Sequence, residues 1–235
     1  MKNRRNQKGF SFVEVLSSLF IGLLLLSAIY FSVATGQKSS AALERKVAAQ
    51  QDVRAALQIM NLEISMVSYN PNYSPGPWRN SVDCTLTAAT DQTNKGIQEA
   101  TNNALTLQMD LGGNGVVGDE ENEIIRFRYD PTTERIIRER ILCGSIPPTT
   151  GEVDFLGADP SSGFPRTVRV INQSLGLPVF SYFDGRGVAT SNIPDIRRID
   201  VTLAVETDEI DASTGERRRM IYTTSIIPRN HAISQ

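Results

Sequence analysis

From Phe10 to Ala34 the chain runs through 25 residues with a single charge, Glu14. At about 1.5 Å per residue, an α-helix of that length reaches about 37 Å, enough to cross ~30 Å of hydrocarbon. The flank ahead of it is basic, with Lys2, Arg4, Arg5 and Lys8 in the first nine residues. Positive flanks stay in the cytoplasm, so the chain after Ala34 is expected to face outward. The formal net charge is −2, and without those four positive charges the remainder carries −6. An acidic body with no basic stripe argues against a nucleic-acid partner, because neutralising phosphate needs clustered Lys and Arg.

Two kinds of processing compete for such a start. An ordinary secretory signal has a basic start, an apolar stretch of about 7–15 residues and a small-x-small site after it. Ser32-Val33-Ala34 could serve as that site, and a secreted enzyme starting near Thr35 would follow. The apolar run is long for a signal, however, and a carboxylate sits four residues into it. The helical pattern also continues beyond it. From Lys38 to Ser68 there is neither proline nor glycine. Leu43, Val47, Leu57, Met60, Ile64 and Val67 recur at spacings of three, four or their sums, which predicts one apolar stripe. Pro71 and Pro75 end the pattern. A rod from Phe10 to Ser68 would be about 90 Å long, with Thr35-Gly36 as the place where it could kink or break.

Glu14 needs an explanation. A carboxylate at membrane depth costs about 2.5 kcal/mol or more, so it has a partner, a function or a route to the interface. Snorkelling to the interface would be cheap. Cutting the chain after Gly9 offers more: the new amine of Phe10 would lie in the same apolar layer. Paired with Glu14 of a neighbouring subunit, it would offset the burial and fix axial register.

The residues around the cut carry a resemblance. Lys8-Gly9-Phe10-Ser11-Phe12-Val13-Glu14-Val15-Leu16 resembles the leader junction of type IV pilins and type II secretion pseudopilins. In that family a prepilin peptidase cuts after the glycine, the new first residue is N-methylated, and the fifth mature residue is Glu. Gly9, Phe10 and Glu14 match those positions. The resemblance implies a leader over 1–9, a long helix over 10–69 with its transmembrane half at 10–34, and a β-rich body over 70–235. That body would stand in the periplasm or at the cell surface. It also implies a single-pass inner-membrane protein whose partners are other pilins, the peptidase and an assembly platform.

The body reads as antiparallel. Residues 70–100 have loop composition, with Trp78 as a local anchor. Ala104 to Met109 is a short strand. Glu123 to Tyr129 and Arg135 to Leu142 form a hairpin around Asp130-Pro131-Thr132-Thr133. Val168 to Ile171 and Val179 to Phe183 are further strands, and Ile199 to Val205 alternates cleanly before Met220 to Ile227. Strands in succession without helices predict one antiparallel sheet and an α+β class, and the resemblance implies a pilin fold. The helix ending Met60-Asn61-Leu62-Glu63-Ile64, the Gly113-Asn114-Gly115 loop and the Asp184-Gly185-Arg186-Gly187 turn are similar to PilW-type minor pilins and J-class minor pseudopilins. The bulk of the body implies a minor, priming or tip-proximal subunit. A pseudopilin of a secretion system and a tip adhesin are the alternatives.

Little in the body points to chemistry. One histidine, His231, near the end gives few routes to Ser-His or Cys-His catalysis. The two cysteines, Cys84 and Cys143, form no CxxC. Outside the cytoplasm one disulfide is the natural reading, and two unpaired buried thiols are the alternative. Asp110 to Glu121 aligns with a twelve-residue calcium loop: Asp110, Asn114, Val116 and Glu121 would be ligands and Gly115 the sharp turn. Gly112 departs from that pattern where a side-chain oxygen is wanted. A solvated Asn-Gly turn before an acidic face is the alternative. Arg217-Arg218-Arg219 reads as a solvated strand edge, and Arg126, Arg128, Arg138 and Arg140 as partners for acids elsewhere. An enzyme is not expected.

Overall fold

The structure is a computed structural model, and it describes residues 9–89, 91–145, 147–158, 166–211 and 214–232. Residues 1–8 of the leader expected over 1–9 lie outside the described residues.

Helix α1 (Phe12–Met66) is one continuous rod of 55 residues, about 82 Å at standard rise. Ser11 is extended, with φ −71° and ψ 143°, and marks the start. Hydroxyls inside the apolar run are absorbed by the helix itself: Ser27 Oγ donates to the Leu23 carbonyl at 2.8 Å, and Thr35 Oγ1 to that of Phe31 at 2.8 Å. The helix passes through Gly36 unbroken. Glycine costs about 1 kcal/mol there, too little to break a helix that extends far on both sides. Val67 leaves helical geometry with ψ 147°, and Ser68 turns left-handed at φ 62°.

The first half of α1 is long and apolar enough to cross a membrane, and none of that stretch is buried. The second half packs on the body through Ala49, Val53, Ala56, Leu57, Met60 and Ile64. The alanines let the sheets approach the rod closely. Leu43 and Val47, assigned to this stripe by periodicity, are instead 60% and 47% exposed. The body already reaches the rod at this level, where Arg45 pairs with Glu209 at 2.8 Å, so these two lie on a face turned away from it.

The body holds two antiparallel sheets where the pattern predicted one. The first is a meander of β1 (Ile97–Ala100), β2 (Ala104–Gln108), β3 (Ile124–Asp130), β4 (Arg135–Leu142) and β5 (Thr149–Leu156), each beside the next. The second is built on β8 (Arg198–Thr207). One edge of β8 pairs with β9 (Arg219–Ile226). Its other edge is shared end to end by β6 (Val168–Val170) and β7 (Phe180–Phe183). Loop ends of the first sheet stitch the two together. Val170 N–H donates to Glu134 O at 2.8 Å, Phe180 N–H to Asn102 O at 3.0 Å, and the Tyr182 hydroxyl to Thr101 O at 2.8 Å. Both sheets and α1 close over one core containing Met60, Ile64, Leu105, Leu107, Phe127, Phe180 and Leu203. Burying a side chain such as Phe127 contributes about 1.5–3 kcal/mol.

Strands β1 and β5 were not expected from the sequence. Four-residue β1 has a single fully buried side chain, Ile97. β5 is an edge strand with Glu152 and Asp154 in it and most of its residues exposed. Neither shows the alternation by which a half-buried strand is recognised.

Candidate functional site

The expected cleavage junction, Gly9–Phe10, directly precedes the first turn of α1. Phe10 is 87% exposed. Glu14 reaches back one turn, and its carboxylate accepts the Ser11 N–H at 3.0 Å. Both residues lie at the start of a surface made of Phe12, Val13, Leu16, Leu19, Phe20 and their successors, all of it exposed. The arrangement offers an apolar cylinder carrying one acid, and among the described residues no part of the body folds over it.

At the opposite end of α1, the chain is pinned by polar contacts. Gly96, Gln108 and Ser68 come together: Ser68 N–H donates to Gln108 O at 2.9 Å, and Gly96 N–H donates to Ser68 Oγ at 3.0 Å. His231 sits on the same spot, 1% exposed, with Nδ1 3.1 Å from Ser68 Oγ and Nε2 2.9 Å from the Ile193 carbonyl. Burial pushes the imidazole down to about 4, and the cations Lys95 and Arg197 push the same way. From the sequence, His231 is notable only as the single histidine near the end. Nothing in its neighbours predicts a contact with Ser68 across 163 positions.

Cys84 and Cys143 are joined in a disulfide, with their Cα atoms 5.5 Å apart. It binds the long loop after α1 to the end of β4. Trp78, Cys84, Val117, Ile124 and Ile141 form a small second core around it, which makes Trp78 the local anchor expected of it.

The side chains of Asp110, Asn114 and Glu121, three of the four calcium candidates, each have a partner within the protein. Asp110 is buried, and its carboxylate accepts the N–H groups of Gly113, Asn114 and Gly115 at 2.7, 3.2 and 2.9 Å. Asn114 Oδ1 accepts the Val116 N–H at 2.8 Å, and Glu121 pairs with Arg140 at 3.0 Å. Backbone donors thus hold Asp110, and Arg140 holds Glu121. Among the described residues no group of three or more His, Cys, Asp or Glu side chains is placed to hold a metal. The loop is shaped by a second carboxylate as well. Glu123 accepts the N–H groups of Leu111, Gly112, Gly118 and Glu120 at 2.8–3.3 Å. Burial raises the Glu123 carboxyl above the ordinary range; the backbone donors oppose this, and the adjoining Asp119 carboxyl adds to it. The sequence reading took Glu123 only as the start of a strand.

The arginines find their acids. Arg126 pairs with Glu99 at 2.8 Å, Arg128 with Glu139 at 2.9 Å and Arg138 with Glu63 of α1 at 2.8 Å. In the triplet, Arg219 pairs with Glu206 at 3.0 Å and Arg218 with Asp211 at 3.6 Å.

An exposed apolar anchor helix continuing into a β-sheet body defines a pilin-like α+β protein. The family model of the prokaryotic N-terminal methylation motif matches residues 4–30, the region of the leader junction, and supports the type IV pilin and pseudopilin family. No curated protein and no solved structure matches the chain.

Proposed function

We propose that this protein is a minor subunit of a type IV pilus, a structural component that primes assembly or sits near the tip. The observation that carries this reading is the bare apolar rod with Glu14 as its single charge, beginning at the methylation motif. A prepilin peptidase would cut between Gly9 and Phe10 and methylate the new amine. The rod would hold the protein in the inner membrane with the body in the periplasm. Assembly would then move the rod from lipid into a bundle of like helices, an exchange of one apolar setting for another. Glu14 would meet the amine of a neighbouring Phe10 there, and the pair would set the axial step. The same chemistry serves a type II secretion pseudopilus.

Mass spectrometry of the mature chain tests the first step: the expected N-terminal residue is N-methylated Phe10. A start near Thr35, or retention of residues 1–9, would refute the reading. For the assembly step, Glu14→Ala should leave membrane insertion intact and abolish recovery of the subunit in sheared filaments. Normal incorporation of that variant would contradict the proposed pairing.

A further inference from the structure

The chain's one histidine lies where its last described turn, Arg229–Ala232, closes on the end of α1. The hydrogen bonds there run in one direction. The Ile193 carbonyl can only accept, so the imidazole must carry its proton on Nε2, 2.9 Å away. Nδ1 is then bare and accepts from the Ser68 hydroxyl at 3.1 Å. That hydroxyl oxygen in turn accepts the Gly96 N–H at 3.0 Å. The backbone of the turn is held too: Lys95 Nζ donates to the His231 carbonyl at 3.0 Å, and Asn230 Nδ2 reaches the Met66 carbonyl at 3.5 Å. The ring therefore ties the tail to the end of α1 and to the Ile193–Asp195 turn, and the approach to β1 joins them through Ser68 and the His231 carbonyl.

We propose that this cluster is an acid-sensitive latch fastening the tail of the chain to the end of α1 remote from the apolar segment. A proton added at Nδ1 faces the Ser68 O–H donor head on, so one of the two must turn away. The new imidazolium would also be buried beside like charge. The charged groups around it are Lys95, from the approach to β1, and Arg197, after the Ile193–Asp195 turn. The acids of the packed elements are engaged elsewhere: Glu63 of α1 with Arg138, and Asp195 with Asn192 at 2.7 Å. The last turn of α1 carries no basic residue. Releasing the ring would free the tail and remove the contact that helps hold Ser68 in its left-handed conformation at φ 62°.

The test is backbone hydrogen exchange of the full chain in detergent micelles, corrected for intrinsic rates, between pH 7 and pH 4. The latch predicts that protection at residues 67–69, 96 and 229–232 falls about tenfold or more over that range, ahead of the sheets. His231→Gln can keep one acceptor and one donor without titrating, so its protection there should stay flat. Unchanged protection in the native chain, or the same pH dependence in the variant, overturns the proposal. If the variant does not fold, nitrogen NMR of the native imidazole decides: the Nε2–H tautomer titrating well below 6.5 supports the latch. The Nδ1–H tautomer, or titration at or above 6.5, overturns it.

Discussion

Gly96 is fixed by space alone. A Cβ placed there would lie 2.5 Å from the Ser68 nitrogen and 2.7 Å from its Cα, and closer still to the Gln108 carbonyl oxygen. These are backbone atoms of α1's exit and of β2, and neither can yield without breaking the Ser68–Gln108 bond. Gly96→Ala should therefore cost about 3 kcal/mol or more, read as a lowered midpoint of denaturant unfolding. A loss below about 1 kcal/mol would show that the junction is looser than this geometry. His231 gives a second measurable at this scale. Its folded value of about 4 lies below the ordinary 6.5, so the unfolded chain binds more protons between those two values. Its contribution is complete above pH 6.5 and is lost as pH falls toward 4, by up to about 3 kcal/mol. In His231→Gln that part of the acid sensitivity should vanish from stability curves taken at pH 7 and pH 4.

Among elements, the loop that follows α1 depends most on a covalent tie. The Cys84–Cys143 bond closes 59 residues of sequence, for which chain entropy predicts about 4 kcal/mol of stabilisation. Reduction, or paired replacement by serine, should lower the melting temperature and first loosen the segment around Trp78, seen as a shift in its fluorescence. In the neighbouring acidic loop, Asp110 is already held by backbone donors and Glu121 by Arg140. Millimolar calcium should then leave the melting curve where it was, and an upward shift would mean that Asp110 and Glu121 rearrange to bind it. The elements themselves were unequally legible. The rod could be read because 25 nearly uncharged residues and an unbroken helical period leave few other structures. The β3–β4 hairpin could be read because Asp130 and Thr133 build the turn from their own side chains, with Thr133 Oγ1 donating to Asp130 Oδ2 at 2.7 Å. β1 and β5 were hidden because a short strand and an edge strand need not bury alternate residues. The split into two sheets was hidden as well, since it depends on β6 and β7 sharing one edge of β8, a long-range choice that leaves no local pattern. The methylation motif was legible because it occupies one contiguous stretch of sequence, whereas His231 and Glu123 act through contacts made only on folding.

Taken whole, the molecule is a shaft with a bead on one end. The shaft joins the bead only through its second half, along Ala49, Val53, Ala56, Met60 and Ile64, with Arg138 clasping Glu63 at the flank. Removing residues 1–37 should leave a body that is soluble without detergent and keeps its far-ultraviolet strand signal. Aggregation of that fragment would mean the exposed half also shields the core. The seam has a mechanical consequence. Traction applied along the membrane-embedded end runs parallel to the row of buried side chains, so it loads them in shear. Under that load the contacts have to fail together rather than unzip in turn, and a pull through residue 12 should meet far more resistance than one that peels the tail at residue 232.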